Sequence, residues 1–167
     1  SPLVFEPNSR MGSNEVISVC RCSYWFIWKS KNMFSSKGTL SYRGNWSLRL
    51  EVDQQIADYY RKLVPKYKNV NGLRYPAHIT IVREKNGLEY DKPTDMSNWG
   101  QYEGEAVEFF YDGIIREGEV YFWINAFSKR FEEIRTELGL SCEENFSILP
   151  EGFQKTFHMS IANKRKN

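Results

Sequence analysis

His78 and His158 are the residues of this chain best suited to acid–base chemistry. They are the only histidines among its 167 residues, and each is followed two positions later by a hydroxyl residue, Thr80 or Ser160. An imidazole has an unperturbed pKa near neutrality, so it can accept or donate a proton under ordinary conditions. Hydroxyl groups beside it can hold the oxygens of a phosphate. The pattern predicts phosphodiester chemistry, in which one imidazole takes a proton from the attacking oxygen and the other gives one to the leaving oxygen.

Each motif has the pattern of a β-strand with a polar face and a buried face. Alternate side chains of a strand point to the same side of a sheet, so His78 shares a face with Thr80, and His158 shares one with Ser160. The apolar residues that alternate with them are predicted to enter the core; they are Ile79, Ile81, Met159 and Ile161. If the two strands lie side by side, both imidazoles and both hydroxyls surround one pocket.

Each histidine-bearing strand is preceded by the same predicted order of elements, a strand and then a helix. In the first half, alternating apolar residues predict a half-buried strand over 46–52. Asp53 is a suitable N-cap for the helix that follows, and Pro65 ends that helix. The duplicated order predicts two similar lobes whose histidines meet at a central cleft.

The second half repeats this order with different loops. A strand is predicted over 120–127, and a helix begins at Ser128 and ends at Gly139. Residues 141–155 are predicted to form a polar loop, which is either a lid over the site or a passive connection. Ahead of both halves, residues 29–44 are polar and interrupted by glycine, so they are predicted to form a loop.

From about Trp46 onward, the paired motifs resemble the His-x-Thr/Ser signature of the two-histidine (2H) phosphoesterase superfamily. The resemblance implies a bilobed α+β fold, in which two antiparallel sheets with pseudo-twofold symmetry flank a central cleft and the helices lie outside. It implies metal-free chemistry without a cofactor, and substrates with a ribose 2′-OH or with a 2′-linked or cyclic phosphate. The catalytic residues that it implies are His78, Thr80, His158 and Ser160.

Two further runs are similar to a phage-encoded branch with an RNA-repair-like label. They are residues 99–102 together with 107–111, and residues 134–140. This resemblance implies a viral protein of the host cytoplasm that cleaves a cyclic oligonucleotide immune signal and so silences host defence. RNA ends and 2′,5′-linked oligoadenylates are the other substrates that the superfamily implies.

Two aromatic residues are candidates for stacking on a nucleotide base. Tyr75 precedes His78 by three residues, at the end of the strand that faces the cleft, and Trp123 lies on the predicted strand over 120–127. Such a platform contributes about 1–3 kcal/mol per base, although ordinary packing is the alternative for both residues. Arg49 alternates with the apolar residues of its strand, and it faces either the cleft or solvent.

Length and composition limit the class of protein. The chain is predicted to be an extended arm at residues 1–14 followed by one domain over 15–167, in which 15–19 and 24–28 are strands. Its net charge of +2 does not suggest binding to long duplex nucleic acid. No apolar run approaches the roughly 18–20 residues that span a membrane, and no secretory leader is recognised, so a cytoplasmic protein is expected.

Other catalytic chemistries are less consistent with the sequence. Two histidines alone do not provide the three or four ligands of a typical metal site, so no metal is expected. The three cysteines lack the spacing of a zinc or redox pair and are expected to be reduced thiols. The leading interpretation is a metal-independent phosphodiesterase acting on a small nucleotide or an RNA end. The alternatives are a protein that sequesters a nucleotide without cutting it, and an inert structural protein.

Overall fold

The structure is a computed structural model that describes residues 33–84, 91–142 and 148–164. The described residues form a mixed α+β structure with one large antiparallel sheet and two α-helices. The predicted arm at 1–14 and the predicted strands at 15–19 and 24–28 lie outside the described residues.

Within the described ranges, eight strands form the sheet. In chain order they are β1 (Phe34–Arg43), β2 (Ser47–Glu51), β3 (Val70–Asn71), β4 (His78–Val82), β5 (Ala106–Tyr111), β6 (Arg116–Glu117), β7 (Tyr121–Phe127) and β8 (Phe157–Lys164). Their spatial order is β3-β8-β4-β2-β1-β5-β7-β6, and β8 also pairs with β7. The strands therefore belong to one sheet rather than to the two separate sheets that were expected, because β8 joins β4 of the first half to β7 of the second.

The predicted order of elements is present in both halves. The first half is β2, helix α1 (Gln54–Leu63) and β4, and the second is β7, helix α2 (Lys129–Glu137) and β8. The backbone N–H of Gln55 donates to the side chain of Asp53, and that of Arg130 donates to Ser128, which confirms both predicted N-caps. Gly139 follows α2 with a φ of 75°, a conformation that ends helices.

The core lies on one face of the sheet, under both helices. The helical spacing of Phe131, Ile134 and Leu138 predicts one buried stripe on α2, and all three residues are fully buried. The same spacing of Ile56, Tyr59, Tyr60 and Leu63 predicts the apolar side of α1. This prediction is wrong in part, because Tyr60 is buried but Tyr59 and Leu63 are exposed. Within the described ranges, neither helix combines the length and the apolar character needed to cross a membrane.

The prediction of a loop over 29–44 is wrong for residues 34–43, which form β1. The sequence of these residues does not show the alternation of a strand. Leu40 is the one buried residue of β1, and its other side chains are exposed or half-buried. Backbone pairing with β2 and a hydrogen bond of 2.9 Å from the N–H of Leu40 to the carbonyl of Glu105 hold it in the sheet. Gly38 favours a break in a strand by its residue type, but here it allows the backbones of β1 and β2 to approach each other closely. A Cβ at this position would collide with the carbonyl of Glu51.

Candidate active site

The two histidine-bearing strands are hydrogen-bonded neighbours. β4 and β8 run antiparallel, and Ile79 lies opposite Met159. Continuing that register by one residue in each direction gives two further opposed pairs, which are His78 with Ser160 and Thr80 with His158. We call these last four residues the histidine block. They lie on the face opposite the core, since the two apolar residues between them are fully buried.

The two imidazoles lie on one diagonal of the histidine block, and the two hydroxyls lie on the other. Side chains directly opposite each other on antiparallel strands have Cβ atoms about 5 Å apart, and diagonal neighbours are about 7–8 Å apart. His78, Thr80 and Ser160 are half-buried, whereas His158 is exposed. A phosphate above the centre of the block would therefore have an imidazole on either side and a hydroxyl within reach of its oxygens.

The histidine block is the centre of a polar face that crosses the sheet. Two rows of opposed residues run through it from β1 to β7. The first row is Ser41, Arg49, Thr80, His158 and Asn125. The second row is Thr39, Glu51, His78, Ser160 and Trp123. Behind them a row of fully buried residues faces the core: Leu40, Leu50, Ile79, Met159 and Ile124.

The two pairs of strands that carry the block are built alike. Between β2 and β4 the register shifts by one residue at Ile81, and between β7 and β8 it shifts by one residue at Ile161. Each bulge directly follows the hydroxyl residue of its motif, and a bulge bends the strand and increases its twist. Arg49 and Trp123 therefore occupy equivalent positions, each opposite the hydroxyl of its own half. The main difference between the halves is a cation in one and an indole in the other.

His78 is held in one tautomer. Its Nδ1 lies 2.8 Å from the carbonyl oxygen of Pro76, and a carbonyl can only accept, so Nδ1 carries the hydrogen. In the neutral ring the lone pair is then on Nε2. Burial lowers the pKa of His78 below its ordinary value, and the positive charges of Arg49 and Arg43 lower it further, against the opposing hydrogen bond to Pro76. This imidazole is therefore neutral near pH 7 and ready to accept a proton.

His158 has a different environment, in which its ring contacts Trp123. The two rings are stacked, with centroids 5.1 Å apart and planes 29° from parallel. Trp123 Nε1 donates to Asn125 Oδ1 at 3.2 Å, which fixes the indole on the sheet, and a Cβ at Gly118 would lie 2.9 Å from its six-membered ring. Trp123 was predicted to bind a base, but in this structure its indole stacks on His158 and packs against Gly118.

Tyr75, the other predicted aromatic platform, lies beside the polar face. Its ring is 55% exposed, so it has open surface for a ligand. The guanidinium carbon of Arg49 is 5.9 Å from the centre of this ring, and that of Arg74 is 5.6 Å from it. Tyr75 therefore links the exposed Arg74 to the half-buried Arg49 at the edge of the histidine block.

Arg49 is the residue whose position the sequence left undecided. The structure places it on the polar face, opposite Thr80, between the fully buried Leu48 and Leu50. Burial lowers the pKa of Arg49, and its Nε has no hydrogen-bond partner among the described residues. Alternation of polar and apolar residues already pointed its side chain away from the core. Only the pairing of β2 with β4 showed that this side also carries the histidines.

The remaining structural findings concern metals and relatives. In the described parts of the chain, no group of three or more His, Cys, Asp or Glu side chains is placed to hold a metal ion.

Comparisons of the chain with models of protein families, with curated proteins and with solved structures found no match. A functional interpretation therefore depends on the geometry of the polar face and on the resemblance of its two motifs.

Proposed function

We propose that this chain is a metal-independent phosphodiesterase of the 2H type, which hydrolyses a small nucleotide phosphodiester by histidine acid–base catalysis. The observation that supports it most strongly is the register of β4 and β8, which puts two imidazoles and two hydroxyls around one point on the exposed face of the sheet. In this proposal the two strand–helix–strand halves are the lobes of the 2H arrangement, joined along these strands. The metal-free chemistry comes from the resemblance of the motifs.

The environments of the two imidazoles assign their roles within this proposal. His78 is the base, because its Nε2 holds a lone pair and its pKa is lowered. It takes the proton of the attacking water or ribose hydroxyl. His158 then gives a proton to the departing oxygen, and Thr80 and Ser160 donate hydrogen bonds to the non-bridging oxygens as charge develops on them.

The proposed substrate is a cyclic oligonucleotide that signals host immunity, so that the chain would act for a virus or phage against that defence. This part comes from the resemblance to the phage branch. An RNA end or a 2′,5′-linked oligoadenylate is the alternative substrate. All three contain a phosphodiester on a ribose, so the same block of residues would act on each. A free ribose hydroxyl lies beside it in cyclic oligonucleotides and 2′,5′-linked oligoadenylates, whereas a terminal 2′,3′-cyclic phosphate would be opened by water.

The test is a substrate panel with mass-spectrometric identification of the products. The panel contains cyclic di- and trinucleotides, 2′,5′-oligoadenylate and RNA ending in a 2′,3′-cyclic phosphate, each with and without excess EDTA. His78→Ala and His158→Ala are each expected to lower kcat about 10²- to 10⁴-fold. Tyr67→Ala is the matched control, because it removes a ring that is 81% exposed and lies outside the polar face.

The results separate the alternatives. Activity that survives both histidine substitutions, or that EDTA abolishes and zinc restores, would show that the proposed mechanism is wrong. Binding of a panel nucleotide without any product would favour a sequestering protein. A melting temperature that no panel nucleotide raises, together with no product, would favour an inert protein.

A further inference from the structure

One side of the histidine block carries more positive charge than a single phosphate requires. Arg43, Arg49 and Arg74 all lie on the β2 side of the block, around His78 and Tyr75. Arg43 is neutralised by Glu51, with which it forms an ion pair of 3.0 Å. Within the described ranges, Arg49 and Arg74 form no ion pair with a carboxylate, although the charge of Glu51 also acts on Arg49. Three guanidiniums therefore share one neighbouring carboxylate.

Arg49 is also incompletely hydrogen-bonded. Its Nε is buried and has no partner in the part of the chain that the structure describes. A buried donor without a partner costs free energy, and a guanidinium that is removed from water costs more. Such a group is expected where a ligand supplies the missing acceptor. A phosphate fits best, since a guanidinium donates to two of its oxygens at once.

The position of Arg49 makes this a separate subsite. Arg49 lies on β2, one strand further from β8 than Thr80, and neighbouring strands are roughly 5 Å apart. Its guanidinium carbon lies 5.9 Å from the centre of the Tyr75 ring, which is not part of the histidine block. A phosphate bound there would lie beside the reacting phosphate, as the next phosphate of the same nucleotide chain does.

On the other side of the block, the described residues place no such charge at the equivalent position. The position equivalent to Arg49 is Trp123, whose indole stacks on His158. Arg116 lies opposite Trp123 on β6, but Asp112 neutralises it through hydrogen bonds of 3.2 and 2.9 Å. Among the described residues of these rows, the arginines without an ion pair therefore lie on the β2 side.

We propose that Arg49, together with Arg74 and Tyr75, forms a second anion subsite next to the histidine block, so that the preferred substrates carry a further phosphate beside the scissile one. This inference rests on the proposed function. It selects oligonucleotides, linear or cyclic, over nucleotides with a single cyclic phosphate. In this assignment Arg49 determines which substrates are preferred, and the roles of the four residues of the histidine block stay the same.

The test measures binding to ligands that a phosphodiesterase does not cut. Adenosine 3′,5′-bisphosphate and adenosine 3′-monophosphate differ by one phosphate and contain no phosphodiester. Their dissociation constants are measured by calorimetry for the natural chain and for Arg49→Met, Arg49→Lys, Arg74→Met and Arg61→Met. Arg61→Met is the matched control, because this arginine pairs with Asp58 on α1.

The natural chain is expected to bind the bisphosphate about 10- to 100-fold more tightly than the monophosphate, because this is the gain in affinity that one hydrogen-bonded contact with a charged group typically gives. Arg49→Met should bring this ratio close to one, Arg49→Lys should restore part of it, and Arg74→Met should lower it less. Arg61→Met should leave it unchanged. A variant that fails to fold would bind both ligands more weakly, so the ratio of the two dissociation constants would not change selectively.

Equal affinity of the natural chain for the two ligands, or binding of neither, would overturn the subsite. So would an unchanged ratio in Arg49→Met. Hydrolysis of the substrate panel together with equal affinities would refute the subsite alone. A ratio that depends on Arg49 without any hydrolysis would support the subsite and refute the phosphodiesterase.

Discussion

An engineered disulfide tests the register on which the site depends. His78 and Ser160 are inferred to lie directly opposite each other, and opposed residues in an antiparallel pair have Cα atoms about 4.5–5.5 Å apart. A disulfide needs a Cα separation of about 4.4–6.8 Å. The double variant His78→Cys, Ser160→Cys is therefore expected to cross-link on mild oxidation. The three natural cysteines are first replaced by alanine, so that the only new bond is the designed one.

The expected stabilisation follows from the length of the loop that the bond closes. Positions 78 and 160 are about 80 residues apart, and a loop of this length loses roughly 4 kcal/mol of chain entropy when it is closed in the unfolded state. For a chain of this size, that change raises the melting temperature by roughly 10 °C. The assay compares the oxidised and reduced forms by calorimetry, and peptide mass spectrometry identifies the linked residues.

The matched control is the diagonal pair, His78→Cys with His158→Cys. Its Cβ atoms are expected to be about 7–8 Å apart, whereas a disulfide needs about 3.8 Å, so it should cross-link poorly. If the diagonal pair forms the bond as readily as the opposed pair, the register is different. If neither pair forms it, β4 and β8 are not neighbours at these positions, and the histidine block does not exist.

Two further predictions concern the base and the helix that follows β2. Because the pKa of His78 is lowered, kcat/KM should fall on the acidic side only when the pH drops below about 6.5. Arg49→Met removes a positive charge near His78, so this acidic limb of the pH profile should move to higher pH. An acidic limb that does not move would contradict the proposed role of His78. Asp53→Ala should lower the free energy of unfolding by about 1 kcal/mol in urea titrations because it removes the cap of α1, and Asp58→Ala, on the exposed side of the same helix, should cost less.

Arg49 and Trp123 occupy equivalent positions, and they make the two halves of the polar face chemically different. Both residues lie opposite the hydroxyl of their half, after the same kind of bulge. Burial lowers the pKa of His78, and the positive charge of Arg49 lowers it further, which favours the neutral imidazole. His158 has the indole of Trp123 in the place of that guanidinium. Under the proposed function, this difference distinguishes the base from the acid.

The sequence by itself determined what each segment does locally. The alternation around His78 and His158 showed which side chains share a face, because the period of a strand is two and the core takes the apolar set. The N-caps Asp53 and Ser128 fixed where both helices begin, because these side chains satisfy backbone groups only one or two residues away. These features depend on residues that are close together in the chain, so the sequence alone predicts them.

The tertiary structure decided which strands are neighbours and in which register. The pairing of Ile79 with Met159 brings together residues 80 positions apart, and no local pattern specifies such a contact. The sequence did not predict β1, because its single buried residue, Leu40, gives no alternation and its strand partners are β2 and β5. Arg49 became a site residue only through its position opposite Thr80. Burial of the shared core and the bulges at Ile81 and Ile161 set these positions, and they act on the assembled sheet rather than on any one segment.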